Sequence, residues 1–173
     1  FTGTGIIPDI KVGLVNTDRS GGTGEFGGWG VSPGTKPDIM AHEMGHSFIL
    51  LADEYSHIGG SPGFFGEPIE VNVTWDKTGA KWSHWMGYDD GILGPIGVFE
   101  GGKYTSTGVY RPTKSSMMRD LSKPFDAIAQ EEFILQFYTD IDHADDYSLK
   151  GTNYKGTDYT YSVGESVNGG KSS

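Results

Sequence analysis

Ala41-His42-Glu43-Met44-Gly45-His46-Ser47-Phe48-Ile49-Leu50-Leu51-Ala52-Asp53-Glu54-Tyr55 is the stretch from which the rest of the chain is read. It contains His-Glu-x-x-His. On an α-helix, residues four apart stand one above the other on one face, so His42 and His46 can offer two imidazole nitrogens to a single metal ion. Glu43 lies about 100° round the helix from His42, off the metal but within reach of a water activated there, as a general base must be. Two incidental histidines on an ordinary helix would give the same short pattern, and the flanks weigh against that. Thr35-Lys36-Pro37-Asp38 reads as an N-cap, a proline in the first turn and an acidic residue at N3. Ile39, Met40, Phe48, Ile49, Leu50 and Leu51 are apolar round much of the helix, as in one buried between two layers. Histidines in such a helix need partners, and a metal supplies them.

A catalytic zinc site takes three protein ligands plus water. If the helix simply ran on, Asp53 would stand about 10 Å beyond His46 along the axis. The expectation is therefore a helix that ends soon after His46 and a chain that turns back to bring Asp53 to the metal. Glu54, His57 and His84 are the other candidates for that third place.

The remaining composition narrows the function classes. A length of 173 residues suits one domain with a core of its own. With 23 acidic and 13 basic residues the formal net charge is −10, which argues against a nucleic-acid surface and is compatible with a secreted protein. There is no cysteine, so a metal must be held by histidine and carboxylate. No apolar run is long enough to span a membrane. The start at Phe1-Thr2-Gly3, together with 28 glycines and 9 tyrosines, reads as a loop-rich segment of something larger.

Taken in order, Asp9 to Asn16 alternates into a short apolar strand, and Thr17 to Gly28 is a glycine-rich loop. Trp29-Gly30-Val31-Ser32 reads as a short edge strand on which an extended peptide could add. A loop follows from His57 to Gly66, then an extended segment, Glu70 to Trp75, that contains the glycosylation-like Asn72-Val73-Thr74. Lys81-Trp82-Ser83-His84-Trp85 reads as packing. A second long helix opens at Pro124-Phe125 and ends near Asp142, with Phe125, Ile128, Ala129, Phe133, Ile134, Phe137 and Tyr138 as its apolar stripe. Residues 1–143 are expected to form the catalytic domain, and 144–173 a linker, a hairpin or the start of a following β-rich module.

The His42–Tyr55 stretch, with Asn72-Val73-Thr74, Lys81-Trp82, Gly97 to Gly102, Gly108 to Pro112 and Met117-Met118-Arg119, resembles the bacterial IgA-peptidase family of zinc metallopeptidases. The likeness runs from about Val12 to Phe137. It implies an α+β, metzincin-like zincin domain: a partial upper sheet, the active-site helix, and a C-terminal helix in the lower subdomain. It also implies a methionine turn under the metal, with Met118 or Met117 as the floor. Where metzincins have a helix-ending glycine this chain has Ile49, and their third-ligand position is Ala52, one residue before Asp53. Fewer strands precede the helix than that fold needs, so the missing ones are expected to have been removed or to belong to a separate chain.

The function implied is a Zn2+-dependent endopeptidase in which Glu43 is the base and Tyr110, or else Arg111 or Tyr55, stabilises the oxyanion. The implied substrate is an extracellular protein such as the hinge of immunoglobulin A, and the setting secreted or cell-surface and bacterial. Calcium (Ca2+) among the carboxylates is left open. The rival reading is a non-catalytic protein- or glycan-binding module retaining the fold, against which the intact Glu43 speaks.

Overall fold

Lys11–Val15 (β1), Thr23–Glu25 (β2) and Trp29–Pro33 (β3) form one small sheet in the order β1-β3-β2. The computed structural model describes residues 10–57, 66–140, 148–152 and 158–162. β1 runs parallel to β3, with Lys11 opposite Trp29 and Val15 opposite Pro33, whereas β2 is antiparallel, with Thr23 opposite Val31 and Glu25 opposite Trp29. The alternating Lys11–Val15 strand is therefore present, but two expectations are corrected. Trp29–Ser32 is the central strand of this sheet and not an edge, and the edge, β2, rises out of the stretch read as loop. Thr23-Gly24-Glu25 carries no alternation because its pairing is entirely backbone, and glycine is what permits its close approach to the next element.

That element is α1, Pro37–Ile49. Pro37 opens it, since its missing N–H would be unsatisfied there anyway. Lys36, not Thr35, is the residue before the helix, and no side chain caps it; the Thr35 hydroxyl instead donates to the Thr17 carbonyl, 3.3 Å. Ile39, Phe48 and Ile49 are buried. The helix stops at Leu50, which adopts the left-handed conformation at φ 54° and ψ 46°, and Leu51 N–H then donates to the Gly45 carbonyl, 2.8 Å. The chain has reversed within two residues of the helix end.

Ala80–Trp85 forms a 3-10 segment, and Phe99–Gly102 (β4) and Thr105–Arg111 (β5) form an antiparallel hairpin. Trp82 is fully buried, its indole N–H on the Gly97 carbonyl at 2.8 Å, in keeping with a packing role. The backbone of Glu70–Trp75 pairs with the hairpin at Thr74, whose N–H and C=O meet Tyr110 at 3.0 and 2.8 Å. Ala52, Val73 and Val109 pack as one buried cluster, with Trp75 against it.

Helix α2 is Ala127–Asp140. It starts later than Pro124-Phe125 because the Asp126 carboxylate takes the Ala129 N–H at 3.0 Å and so acts as the cap. Phe125 and Phe133 meet edge to face at 5.1 Å, and Phe133 also lies 6.0 Å from Phe48 of α1. The chain divides into two units, Phe1–Gln136 and Phe137–Ser173. In the second, Ser148–Thr152 (β6) and Asp158–Ser162 (β7) form an antiparallel hairpin with Ser148 opposite Ser162. The loop expected beyond His57 and the boundary expected at 143/144 lie outside the described residues. Among the described residues, no helix is long and apolar enough to cross a membrane.

Candidate metal centre

His42 and His46 stand on one face of α1, with ring centroids 4.7 Å apart. Their Nε2 atoms are 3.1 Å from each other and lie 3.0 and 3.2 Å from Asp53 Oδ1. On the far side of each ring, His42 Nδ1 faces the Met117 carbonyl at 3.1 Å and His46 Nδ1 faces the Leu51 carbonyl at 2.7 Å. A carbonyl can only accept, so each Nδ1 carries the proton, and a neutral ring then has its lone pair on Nε2. Two imidazole lone pairs and a carboxylate oxygen converge on one point with no proton assigned between them. A cation satisfies all three, and carbonyl-anchored imidazoles are the usual outer support of a metal site. His42, His46 and Asp53 could hold a metal ion, and among the described residues no other group of three such ligands comes together.

The other candidates for the third place are engaged elsewhere. Glu54 is fully buried, its carboxylate accepting from Ser116 Oγ at 2.8 Å and Asn72 Nδ2 at 3.0 Å. His57 stacks on Tyr104 at 5.9 Å, and His84 Nε2 meets Glu131 at 2.8 Å. Asp53 reaches the histidines because Leu50, in the left-handed conformation, turns the chain back; the turn falls one residue after Ile49 and the carboxylate one residue after Ala52, so the spacing between them is kept.

The segment from Leu51 to Glu54 is tied down on both sides. Asn72 bridges the Ala52 N–H and C=O, both at 2.8 Å, while Glu54 N–H donates to the Met118 carbonyl at 2.8 Å and Arg119 donates to the Glu54 carbonyl. Asn72 is wholly buried, so Asn72-Val73-Thr74 is a strut and not an attachment site. Met118 is also wholly buried and lies beneath α1: a Cβ on Gly45 would come within 2.8 Å of its sulfur. Met117 contributes its carbonyl, so both methionines of the turn serve the helix, one by packing and one by hydrogen bonding.

Glu43 is buried under β2. Gly24 N–H donates to its carboxylate, and a Cβ on Gly22 would fall 2.7 Å from Oε1. Burial raises its pKa above the ordinary carboxylate value, against the pull of the neighbouring histidines. Asp53 shows the opposite balance: burial pushes it up, yet the imidazoles of His42 and His46 beside Oδ1 and the Tyr104 hydroxyl on Oδ2 hold it far below the usual range. In His46, burial lowers the pKa, but the neighbouring Asp53 carboxylate leaves it raised overall.

The phenol that sequence reasoning missed is Tyr104, whose hydroxyl donates to Asp53 Oδ2. Tyr110, the residue expected to serve the oxyanion, is half-buried on β5; its hydrogen bonds among the described residues are those of its backbone with Thr74 and β4, not with the cluster. Arg111 spends its guanidinium on the carbonyls of Glu100 and Gly101, at 2.7 and 2.6 Å, and of Lys114 at 3.0 Å. Tyr55 meets Tyr104 edge-on at 5.2 Å. The signal for Tyr104 was faint: a lysine and a tyrosine where a two-residue hairpin loop ordinarily has asparagine and glycine.

A family model described as IgA Peptidase M64 matches residues 7–95, just over half of the chain. The chain belongs to the IgA peptidase M64 family. As a member of that peptidase family it is a protease, and a protein substrate follows from that. The match spans the whole of α1, the converging His42, His46 and Asp53, and Asn72, and ends before the β4–β5 hairpin that carries Tyr104. Compared with curated proteins, this M64 peptidase finds no match.

Proposed function

We propose that this M64 peptidase is a zinc-dependent endopeptidase of metzincin-like build, acting on an extracellular protein such as the hinge of immunoglobulin A. The observation that carries the reading is the convergence of His42 Nε2, His46 Nε2 and Asp53 Oδ1, with both Nδ1 atoms anchored on carbonyls. Histidine and carboxylate with no thiolate suit zinc. When bound, zinc supplies the Lewis acidity that activates a water and polarises the scissile carbonyl. Glu43 would take a proton from the attacking water and return it to the departing amine, and its raised pKa brings it nearer the working pH of a base.

A metzincin-like arrangement is supported by the Met117–Met118 turn beneath α1 and by the antiparallel edge strand β2 above it. Protein substrate, secretion or cell-surface display, and a bacterial source belong to the same reading. So does a strand partner for β1, whose Val12, Leu14 and Val15 are exposed. A binding module without activity is not favoured, because the base is present and buried beside the ligands.

The test is elemental analysis of the purified protein paired with cleavage of immunoglobulin A before and after chelation. About one zinc per chain is expected, with cleavage lost on chelation and restored by zinc. Glu43→Ala should lower turnover by about 10²–10⁴-fold and leave the zinc content unchanged, since it removes the base and no ligand. Full activity in that variant would sink the mechanism.

A further inference from the structure

The two oxygens of Asp53 have different neighbours. Oδ1 faces both imidazoles, at 3.0 and 3.2 Å, whereas Oδ2 accepts the Tyr104 hydroxyl. We propose that Tyr104 is a positioning residue that occupies Oδ2 and thereby restricts Asp53 to offering a single oxygen, Oδ1, to the metal. This rests on the zinc reading above.

The backbone around Tyr104 is bent to place it there. Gly102 pairs with Thr105, so Lys103 and Tyr104 are the two loop residues of the β4–β5 hairpin, and both have positive φ, 47° and 65°. The tightest hairpin turn requires that conformation at both positions, and glycine or asparagine adopts it most easily. Two residues with long side chains hold it here, and such backbone persists only where surrounding contacts over-determine it.

Those contacts are on the ligand segment itself. Lys103 N–H donates to the Asp53 carbonyl at 2.8 Å, Tyr104 N–H to the Tyr55 carbonyl at 3.0 Å, and His57 N–H to the Tyr104 carbonyl at 3.2 Å. The Lys103 ammonium is held by both Glu70 oxygens, at 2.6 and 2.8 Å. The phenol ring lies nearly parallel to His57, 17° between planes, and edge-on to Tyr55. The hairpin tip and the residue it serves are therefore joined by backbone hydrogen bonds, with the Tyr104 ring set between His57 and Tyr55. A carboxylate with one oxygen reserved in this way leaves the remaining metal position to water, which a hydrolytic site needs.

Tyr104→Phe tests this, because it keeps the ring stack and removes only the hydroxyl. The metal-free variant should fold as wild type does and melt a few degrees lower, for the one hydrogen bond lost. Zinc affinity, measured by competition with a chromophoric chelator, should fall about 10–100-fold in the variant. The visible absorption of the cobalt(II)-substituted variant should weaken relative to wild type as Oδ2 joins the ion. Equal zinc affinity, or an unchanged cobalt spectrum, overturns the proposal and leaves the peptidase reading intact. A wild-type chain that takes up no zinc overturns both.

Discussion

At Asp53, a single carboxylate has one face among imidazoles and the other on a phenol, and both faces lower its pKa against the effect of burial. Removing it takes away the one anion of the cluster. Asp53→Ala is expected to lose zinc on dialysis that wild type survives, with an affinity lower by more than about 10²-fold, given that loss of an outer partner alone costs 10–100-fold. Full occupancy after dialysis would move the third ligand elsewhere. The placement of His42, Glu43 and His46 was legible because helical spacing alone puts two imidazoles on one face and the carboxylate off it. Asp53 was legible only up to rank order, since the decision among Asp53, Glu54, His57 and His84 depends on where Leu50 turns the chain. Tyr104 was not legible at all, because nothing local says that a hairpin tip 51 residues further on will meet Asp53.

Among the elements, β2 is the least like a strand in sequence and the closest to the chemistry. A Cβ on Gly24 would lie 2.1 Å from the Glu43 carbonyl oxygen and 2.9 Å from its carbon, both backbone atoms that cannot rotate away. Gly24→Ala must therefore lift β2 from α1 and withdraw the N–H from the Glu43 carboxylate. Because β2 is a three-residue edge, the expected cost falls on catalysis more than on folding: turnover down about 10²-fold, as for a misplacement of about 1 Å, with the melting temperature little changed. Equal losses in both would mean that β2 is a structural strand only. The glycine-rich run before Trp29 hid this strand, since a residue chosen for having no side chain leaves no periodicity to read. The helices were legible for the opposite reason. α1 and α2 carry apolar residues at helical spacing, and only their caps were misplaced.

For the molecule as a whole, the buried carboxylates set a pH dependence. Glu54 is pushed up to about 8, first by burial and then by the nearby Asp126, itself raised by burial. Between the unfolded value of 4.5 and about 8 the folded state holds a proton that the unfolded chain does not, so stability falls as pH rises through that window. Glu54→Gln keeps the shape without the titration. Urea unfolding at pH 5.5 and 8.5 should show wild type losing on the order of 3 kcal/mol more than the variant between the two; parallel losses would remove Glu54 as the cause. A formal charge of −10 says nothing of this, because composition counts these two acids among the solvated ones.

Lys81 bears on how a chelation experiment would be read. Its ammonium sits among the carbonyls of Pro68, Glu70 and Val73, with the Glu67 carboxylate 3.1 Å away, in a nest of oxygens of the kind that often recruits a free cation from solution. Here the positive charge is covalently attached to the chain, so a chelator has nothing to extract from that nest. The Pro68–Val73 segment, and Asn72 within it, should keep its grip on Ala52 in metal-free protein, leaving an apo site that is built before its ion arrives.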